Sequence, residues 1–335
     1  MSKLVKYITI TGASGFIGRN LSSSLLQNPD YVLNPINLRE SDISQRDLGE
    51  VVVHLAGKAH DTRSVSPPEE YFAVNTGLCK KLFDAFLKSS ANTFIYISSV
   101  KAVADQVEGE LVESIIPNPK TPYGQSKQQA EAYVLSAELP LNKRVFILRP
   151  CMIHGPGNKG NLNLLYKFVQ KGIPYPLAAF NNKRSFLSIA NLNYVIEAII
   201  SREDIQGGVY NVADDEPLAT NAIIKIICET IGLKARLWQI SPNIVKTVAR
   251  VGDKLHLPLN SERLKKLTES YIVSNKKIKA ALEIDCLLVS SSDGLRSTIQ
   301  SFNANIEPGF ISRSTKYEEL NIGVGVEDEK DSILL

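Results

Sequence analysis

The stretch that decides the fold is Val5-Lys-Tyr-Ile-Thr-Ile-Thr-Gly-Ala-Ser-Gly-Phe-Ile-Gly18. Its first half is a short β-branched run, typical of a buried parallel strand. Its glycines permit a tight turn and a close approach of the backbone to a pyrophosphate, and the helical pattern after them aims a helix N terminus at that anion. The alternative is a glycine-rich turn without a ligand. Strand, turn and helix in this order favour nucleotide binding, with these predicted contacts: Gly12, Gly15, Phe16, Ile17 and Gly18.

The rest of the first 150 residues repeats this alternation of strand and helix. Strands are predicted over 31–38, 51–57, 93–97 and 144–148, and helices over 71–89 and 123–137. Such alternation is the pattern of a doubly wound parallel sheet. We therefore predict an α/β, Rossmann-type domain over residues 1–150.

Beyond residue 150 the pattern changes to a Gly-, Asn- and Pro-rich loop followed by short elements. Helices are predicted over 164–171, 192–201, 219–231 and 276–282, and short strands near 185–189, 209–212 and 236–239. We expect these to form a smaller mixed α/β C-terminal substrate lobe over residues 151–302. Residues 303–335 are polar and lack periodicity, which predicts a flexible tail.

Composition and charge argue against several classes of protein. Hydrophobic content of 44%, charged content of 22% and a net charge of +3 over 335 residues are ordinary for a soluble protein. No basic patch interleaves with aromatic residues, which argues against nucleic-acid binding. The four cysteines and four histidines lack metal-ligand spacing, so we expect no metal and a reduced, cytoplasmic protein. We see no signal peptide and no apolar run of about 18 residues, so we expect no membrane span.

The end of the second strand bears on the choice of cofactor. An acidic residue there holds the ribose hydroxyls of NAD, whereas a basic residue accommodates the 2′-phosphate of NADP. The chain has Asn37-Leu-Arg39 and no acid, so Arg39 favours NADP, with a surface arginine as the alternative. The next strand follows soon, which predicts a shortened adenosine pocket flanked by Asp42 and Ile43.

Other positions along the first domain are also predicted to contact the cofactor. The strand over 51–57 ends in Leu55-Ala56-Gly57, and small residues are needed where a backbone passes beside a ligand. Asn75 lies near the start of the following helix, and Pro150 closes the last strand of the domain.

The residues Tyr123-Gly-Gln-Ser-Lys127 carry the strongest chemical signal. Thr121 and Pro122 before them indicate an N-cap and a first helical residue, so Tyr123 and Lys127 lie four apart on one helix face. A nearby ammonium favours phenolate over phenol, which suits Tyr123 to exchange a proton near neutral pH. Ser99 ends a buried strand at the site-bearing edge of the sheet. Alternatively, Tyr123 and Lys127 are one core and one surface residue that share this spacing by chance, and Ser99 only caps a helix or a turn.

Taken in order, the glycine turn, His54-Leu-Ala-Gly57, Asn75, Ser99 and the Tyr123/Lys127 pair resemble the extended short-chain dehydrogenase/reductase family. The chain looks most like its nucleotide-sugar epimerases, dehydratases and 4-keto reductases, over roughly residues 4–300. The resemblance implies NAD or NADP as cofactor and Ser99, Tyr123 and Lys127 as the catalytic set. In that mechanism Tyr123 removes the sugar hydroxyl proton while hydride passes from the same carbon to the nicotinamide. Ser99 hydrogen-bonds the reacting oxygen, and Lys127 holds the nicotinamide ribose and lowers the pKa of Tyr123.

The resemblance also implies that the second lobe binds the diphosphate of a UDP-sugar. It assigns substrate contacts to Asn161 and Leu162 after a Gly-Pro-Gly loop, to Arg184 before a short strand, and to Arg263. Guanidinium groups pair bidentately with phosphate oxygens, although a surface arginine is the alternative for each.

The residues after Ser99 narrow the reaction. The family's dehydratases carry an Asp-Glu pair where this chain has Val100 and Lys101, which are predicted substrate contacts here. Because Val100 cannot transfer protons, we do not expect dehydration. Met152 and His154 also differ from residues typical of UDP-galactose epimerases, which weakens the case for a plain UDP-glucose/UDP-galactose epimerase but not for the class.

Three functions remain open. The first is a 4-epimerase of a UDP-hexose, expected to be N-acetylated, which works through a 4-keto intermediate in bacterial-type polysaccharide precursor synthesis. The second is an NAD(P)H-dependent reductase of a UDP-4-keto-6-deoxy-hexose that uses the same residues. The third is a non-catalytic nucleotide-sensing relative, against which the intact catalytic set argues. Apolar helices around residues 78–87 and 130–139 predict a homodimer seam of the kind common in this family.

Overall fold

A computed structural model of the chain describes residues 5–39, 43, 47–59, 67–158, 160–255 and 260–303. The strands are β1 (Lys6–Thr11), β2 (Tyr31–Ile36), β3 (Val51–His54), β4 (Thr93–Ile97), β5 (Glu110–Leu111), β6 (Arg144–Pro150), β7 (Met152–His154), β8 (Phe186–Ser188), β9 (Gly208–Val212) and β10 (Ile272–Val273). The helices are α1 (Phe16–Leu25), α2 (Pro68–Tyr71), α3 (Leu78–Lys88), α4 (Pro122–Leu135), α5 (Asn161–Gln170), α6 (Ile189–Ser201), α7 (Thr220–Thr230), α8 (Pro242–Leu255), α9 (Ser261–Thr268), α10 (Lys276–Leu282) and α11 (Ser291–Asn303). A π-helix (Phe72–Gly77) joins α2 to α3, and a 3₁₀ turn (Val100–Ala102) follows β4.

Within these ranges the main sheet has six strands, all parallel, in the order β2-β1-β3-β4-β6-β9. Strands β3 and β4 are buried along their whole length, as expected for apolar runs covered by helices on both faces. The chain passes from β1 to β2 on one side and then to β3 on the other side, so the strand order reverses at β1. Ligands of open α/β sheets bind at the carboxyl ends of the strands at such a switch point. The predicted doubly wound α/β fold is confirmed.

The sheet extends past residue 150, where the sequence suggested a domain boundary. Residues 209–212 were predicted to lie in the second lobe, but they form part of β9, which pairs with β6 in the main sheet. Backbone pairing with β9 satisfies an edge of β6 that would otherwise be open. The predicted strand at 236–239 is wrong, because Leu237 and Gln239 make isolated bridges to Tyr175 and Leu177 instead. The division into a cofactor unit and a substrate lobe stays a prediction.

Helices α8, α9 and α11 were not predicted from the sequence. Helix α11 contains several serines and a glycine, residues of low helix propensity, and it forms because Leu295 and Ile299 are buried in one apolar cluster with residues of α7. No helix in the described ranges is long and apolar enough to span a membrane.

Apolar clusters on both faces of the main sheet hold the strand ends in place. On one face Ile8 and Ile10 of β1 share a cluster with Leu21 and Leu25 of α1 and with residues of α6. On the other face β3, β4 and β6 pack on α3 and α4, and a further cluster joins α5, α7, α8 and α11. Each large side chain buried in this way contributes roughly 1.5–3 kcal/mol. The carboxyl ends of β1, β3 and β4 and the start of α4 are fixed by this packing.

The helices proposed for a dimer seam bury much of their apolar surface within the chain. Leu82 and Phe83 of α3, and Ala130 and Val134 of α4, belong to the cluster beneath β3, β4 and β6. Leu135 of α4, by contrast, is exposed. The homodimer stays a prediction.

Candidate active site

The glycine turn after β1 is held against the end of β3. Gly12 has a φ of +72°, and a Cβ placed on it would lie 2.7 Å from the backbone nitrogen of Ala56, so only glycine fits there. A Cβ on Gly18 would lie 2.2 Å from the carbonyl oxygen of Gly12. The predicted glycines therefore let the turn, α1 and β3 approach one another closely.

Helix α1 begins directly after this turn with free donors at its N terminus. Gly15 is the N-cap in an extended conformation, and among the described residues no side chain caps the helix and no acid occupies its first turn. The first-turn N–H groups and the positive end of the helix dipole can therefore bind a phosphate. Phe16 and Ile17 start the helix and are partly buried against the sheet. This donor set fits the pyrophosphate of a dinucleotide.

Thr11, the last residue of β1, ties the ends of β1 and β3 together. Its carbonyl accepts a hydrogen bond from the nitrogen of Leu55, and its hydroxyl accepts one from the nitrogen of Ala56, each at 3.2 Å. The same hydroxyl lies 2.7 Å from Nδ1 of His54. Burial, together with the nearby Lys127 ammonium, lowers the pKa of His54 to about 3. His54 is therefore neutral, and it stabilises the glycine turn through its hydrogen bond with the Thr11 hydroxyl.

Gly57, Asn75 and Lys127 meet at one point beyond the end of β3. A Cβ on Gly57 would lie 3.0 Å from Asn75 Oδ1 and 3.2 Å from Lys127 Nζ. Asn75 is buried in the π-helix, where its Oδ1 accepts from the backbone nitrogen of Lys58 at 2.7 Å and its Nδ2 donates to Ser126 Oγ at 3.0 Å. Asn75 thus joins the loop after β3 to α4. Single π-helical turns of this kind are frequent at functional sites.

Helix α4 begins as the sequence predicted and carries Lys127 into the interior. Thr121 is the N-cap and Pro122 the first helical residue. Lys127 is buried, donates from Nζ to the carbonyl oxygen of Ile97 at 3.0 Å, and lies 5.0 Å from the centre of the Tyr96 ring. The ammonium is therefore held at the carboxyl end of β4.

The structure brings the predicted Ser99 and Tyr123 side chains together through a hydrogen bond. Ser99 Oγ also accepts from the backbone nitrogen of Lys101 at 3.2 Å, which caps the 3₁₀ turn. The rings of Tyr123 and Tyr71 pack edge to face with centres 6.3 Å apart. Since Lys127 binds the carbonyl two residues before Ser99, the three predicted catalytic side chains lie around the end of β4.

Burial dominates the acid–base properties of this group. Burial raises the pKa of Tyr123 above its ordinary value, and the hydrogen bond with Ser99 opposes that shift. Burial lowers the pKa of Lys127 to about 8, while the Glu131 carboxylate acts in the opposite direction. The expected lowering of the pKa of Tyr123 is not met, because burial of the phenol outweighs the hydrogen bond with Ser99 that favours the phenolate.

A buried ion pair behind the site was missed by the sequence reasoning. Arg149 donates from Nε and Nη2 to the Glu131 carboxylate at 3.0 and 2.6 Å, and the Ser98 hydroxyl donates to the same carboxylate. Glu131 lies one turn beyond Lys127 on α4, and Ser98 precedes Ser99, so this network fixes the catalytic helix relative to β4. An arginine directly after the apolar run of residues 145–148 in β6 was the available signal, because a buried charge needs a partner.

The predicted substrate contacts Lys101 and Arg184 lie close enough to interact. Lys101 Nζ donates to the carbonyl oxygen of Asp105 at 2.9 Å and lies 4.2 Å from the centre of the Tyr271 ring. Arg184 donates from Nε to the carbonyl oxygen of Glu269 at 3.1 Å. Burial lowers the pKa of Lys101, and the positive charge of Arg184 adds to this shift while nearby carboxylates oppose it. Arg184 Nη2 also lies 3.9 Å from the Glu269 carboxylate, so both cations already have partners within the chain and their role as substrate contacts stays a prediction.

The remaining predicted substrate residues are more dispersed. Asn161 is the exposed first residue of α5, whereas Leu162 is buried in the apolar cluster that joins α5, α7, α8 and α11. Arg263 is exposed in the first turn of α9, where its backbone nitrogen donates to Asn260 Oδ1 at 2.8 Å. Val100 is buried in the core on the α1 face of the sheet. Leu162 and Val100 thus serve packing, and a substrate contact for any of these residues stays a prediction.

The residues predicted to contact the cofactor around its adenosine and at the end of β6 also lie in different environments. Arg39 is exposed beyond the end of β2, and its backbone nitrogen donates to Asn37 Oδ1 at 3.1 Å. Asp42 lies outside the described residues. Ile43 is buried in the apolar cluster beneath β3, and Pro150 ends β6. Their contacts with a cofactor stay predictions.

This fold, with its glycine turn and its serine–tyrosine–lysine group, defines a nicotinamide-dependent Rossmann-fold enzyme of the short-chain dehydrogenase type. More closely, the chain belongs to the NAD dependent epimerase/dehydratase family, which matches residues 8–213. The predicted family and the predicted NAD or NADP cofactor are thereby confirmed.

Comparison with individual proteins supports this assignment. A UDP-glucose 4-epimerase of Vibrio cholerae is 31% identical over 264 residues, which cover 71% of this chain and 79% of the relative. A GDP-6-deoxy-D-mannose reductase of Pseudomonas aeruginosa is 26% identical over 74% of this chain and 85% of its own length. The crystal structure of a UDP-glucuronic acid 4-epimerase from Bacillus cereus in complex with NAD superposes with a TM-score of 0.68 at 20% identity, covering 89% of this chain and 99% of that one. The chain is therefore a nucleotide-sugar epimerase, dehydratase or reductase by family.

Proposed function

We propose that the protein is a 4-epimerase of a UDP-hexose, which oxidises C4 to a ketone and reduces it again from the other face. The observation that carries the proposal is the grouping of Ser99, Tyr123 and Lys127 at the end of β4, beside the anion-binding start of α1. The 31% identical UDP-glucose 4-epimerase of Vibrio cholerae supports the same reaction. We place this reaction in the synthesis of polysaccharide precursors.

The residues present fit a dinucleotide. The N–H groups of the glycine turn and of the first turn of α1 would hold the pyrophosphate, and Lys127 would hold the nicotinamide ribose, with Gly57 and Asn75 as the adjacent wall. When bound, the nicotinamide supplies the acceptor and donor for the hydride at sugar C4.

The chain's own residues then handle the proton. Tyr123 takes the proton of the C4 hydroxyl, and Ser99 donates a hydrogen bond to the same oxygen as its bond to carbon becomes a carbonyl. Because burial raises the pKa of Tyr123, its phenolate depends on stabilisation by the Ser99 hydroxyl, whose hydrogen bond opposes that shift. After the 4-keto sugar turns over, Tyr123 returns the proton to the C4 oxygen. Lys101 and Arg184 would hold the diphosphate meanwhile.

Dehydration is disfavoured at this site, because it needs an acid and a base near C5 and C6. The residue after Ser99 is Val100, which is buried in the core and has no proton to exchange. This buried valine favours epimerisation or reduction at C4 over dehydration.

A second candidate is a reductase of a UDP-4-keto-6-deoxy-hexose, which would use the same residues in one direction. The specific observation in its favour is Arg39, an exposed cation beyond the end of β2 in a place suited to the 2′-phosphate of NADPH. The 26% identical GDP-6-deoxy-D-mannose reductase of Pseudomonas aeruginosa supports a reductase as the second candidate.

The two functions differ in whether the cofactor stays bound and is regenerated in each turnover or is consumed. The purified protein should be denatured, any released nicotinamide identified, and turnover of UDP-N-acetylglucosamine tested without added cofactor. A 4-epimerase is expected to retain NAD and to turn over without an external nucleotide. Absorbance at 340 nm that falls only when NADPH and a 4-keto sugar are supplied together would instead establish the reductase.

The role of the tyrosine is tested by Tyr123→Phe. We expect turnover to fall by at least about 100-fold, since general acid–base catalysis contributes on the order of 10²–10⁴, while cofactor and UDP-sugar affinity stay nearly unchanged. Tyr7→Phe makes the same chemical change at an exposed position on β1 and serves as the control. Unchanged turnover in Tyr123→Phe would overturn the mechanism, whereas an unmodified protein that turns over no UDP-sugar would leave the non-catalytic relative in contention.

We further propose that the enzyme works as a homodimer in a reducing, cytoplasmic compartment. All four cysteines are free, and Cys79, Cys151 and Cys228 are buried, which suits such a compartment.

A further inference from the structure

Tyr71 packs against the proposed catalytic tyrosine, although it was not among the predicted site residues. Its ring lies edge to face with the ring of Tyr123, with the two centres 6.3 Å apart and the planes at 74°. Only 5% of Tyr71 is exposed, whereas Tyr123 is half-buried, as a side chain that meets a substrate must be. Tyr71 therefore shields one side of the Tyr123 ring from water.

Two short elements that pack on α4 hold Tyr71 in this place. Tyr71 is the last residue of α2 and the N-cap of the π-helix, and both elements contact α4, the helix that carries Tyr123. Within the π-helix, Asn75 Nδ2 donates to Ser126 Oγ at 3.0 Å, and Thr76 Oγ1 donates to the carbonyl oxygen of Ser126 at 2.8 Å. The segment that begins at Tyr71 is thus bonded to α4 three residues beyond Tyr123.

Lys58, in the loop after β3, also contacts the Tyr71 ring. Its Nζ lies 5.6 Å from the centre of that ring and pairs with the Glu70 carboxylate. Its backbone nitrogen donates to Asn75 Oδ1 at 2.7 Å. Since a cation within about 6 Å of an aromatic ring is attracted to its face, Lys58 and Tyr123 together limit the movement of Tyr71.

Tyr71 also bears on the proton chemistry of Tyr123. Burial raises the pKa of Tyr123, the hydrogen bond with Ser99 opposes this shift, and the nearby Tyr71 phenol adds to the rise. A smaller side chain at position 71 would let water reach the Tyr123 ring, and hydration favours the phenolate. The pKa of Tyr123 should then fall towards its ordinary value.

From these contacts we propose that Tyr71 is a positioning residue, whose ring holds the Tyr123 phenol in its hydrogen bond with Ser99 and keeps water from it. The inference deepens, and rests on, the proposed function, in which Tyr123 takes the proton of the sugar hydroxyl. A displacement of about 1 Å at a reacting group can cost on the order of 10²-fold in rate. A ring that fixes Tyr123 therefore contributes to turnover without touching the substrate.

Two substitutions at Tyr71 separate its ring from its hydroxyl. Tyr71→Phe keeps the ring and should retain kcat for UDP-N-acetylglucosamine within about twofold. Tyr71→Leu removes the ring and should lower kcat at least about tenfold, while KM for the sugar and Kd for NAD stay within about twofold. The rising limb of the kcat–pH profile should move to lower pH in Tyr71→Leu, because a less buried Tyr123 loses its proton more readily. A role in folding alone would leave that limb in place.

Titration of the Tyr123 phenol gives a second readout, which needs no turnover. The phenolate absorbance of each protein, minus that of the same protein carrying Tyr123→Phe, isolates this one group. Its midpoint should lie at lower pH in Tyr71→Leu than in the unmodified protein. Tyr166→Leu is the matched control, because Tyr166 is also 5% exposed and also packs at an angle on an aromatic ring, that of Phe302, with centres 5.3 Å apart. It should change neither kcat nor the midpoint.

The outcomes separate this inference from the proposed function. Normal turnover in Tyr123→Phe contradicts the proposed function, and the titration still tests Tyr71. If Tyr71→Leu leaves kcat and the Tyr123 midpoint unchanged, or if Tyr71→Phe loses as much kcat as Tyr71→Leu, then Tyr71 does not position Tyr123. Urea denaturation shows whether each variant is folded in the assay. Should Tyr71→Leu not fold, Tyr71→Met, whose side chain fills irregular gaps, takes its place.

Discussion

Replacing Glu131 with glutamine should destabilise the protein far more than its conservative chemistry suggests. The Glu131 carboxylate is buried, accepts bonds from Nε and Nη2 of Arg149 at 3.0 and 2.6 Å, and accepts another from Ser98. A glutamine of the same shape keeps one acceptor but turns an NH₂ group towards the guanidinium. The Arg149 charge is then left buried without a counter-charge.

The magnitude follows from that unpaired charge. Breaking a buried ion pair by removing one partner costs roughly 3–5 kcal/mol, a large fraction of a typical stability of about 5–15 kcal/mol. The melting temperature should fall by on the order of 10 °C. Equilibrium denaturation in urea, followed by circular dichroism, measures the change in the free energy of unfolding.

Two further variants test whether the loss of stability in Glu131→Gln comes from burial of its ion pair. Glu262→Gln removes an exposed carboxylate from its ion pair with Lys266 and should leave the denaturation curve unchanged. The double variant E131Q/R149M also removes the buried charge, so its loss should be smaller than the sum of the two single losses. If Glu131→Gln costs no more than Glu262→Gln, the pair is not the buried, charged contact described here.

Three further predictions concern the glycine turn, the buried histidine and the cofactor. Gly18→Ala would place a Cβ 2.2 Å from a backbone oxygen and should cost at least about 2 kcal/mol of unfolding free energy. Gly77→Ala, whose Cβ meets nothing nearer than 3.8 Å, should be neutral or slightly stabilising by the same urea assay. Because the pKa of His54 falls from 6.5 to about 3 on folding, the unfolded chain binds more protons between these values and stability falls as the pH drops. The loss should reach roughly 2–3 kcal/mol between about pH 6.5 and 4.5 and be absent from His54→Asn; parallel pH profiles would refute it. Arg39→Ala should raise the Kd of NADPH at least about tenfold more than that of NADH if Arg39 binds the 2′-phosphate, and equal changes would remove it from the site.

Part of the site could be predicted because its signals are local. The N-cap at Thr121 and the four-residue spacing of Tyr123 and Lys127 depend on one helix turn, and both are found in the structure. The positive φ of Gly12 likewise belongs to a single turn after β1. In each case the controlling residues lie within a few positions of one another.

Other parts were out of reach because they depend on contacts between distant segments. The pairing of β9 with β6 joins residues about 60 positions apart, and no periodicity within residues 209–212 distinguishes a strand of the main sheet from one of the second lobe. The raised pKa of Tyr123 depends on how deeply the phenol is buried. Burial is a property of the whole packed molecule.

The sequence by itself therefore determined the βα unit at the N terminus, the alternation that makes a doubly wound sheet, and the position of Tyr123 and Lys127 on one face of α4. These follow from backbone preferences and side-chain spacing over short stretches. Only the tertiary structure decided that the sheet extends to β9, that Arg149 and Glu131 form a buried pair, and that Lys127 binds the Ile97 carbonyl. Those outcomes depend on desolvation and on long-range packing, which no local pattern encodes.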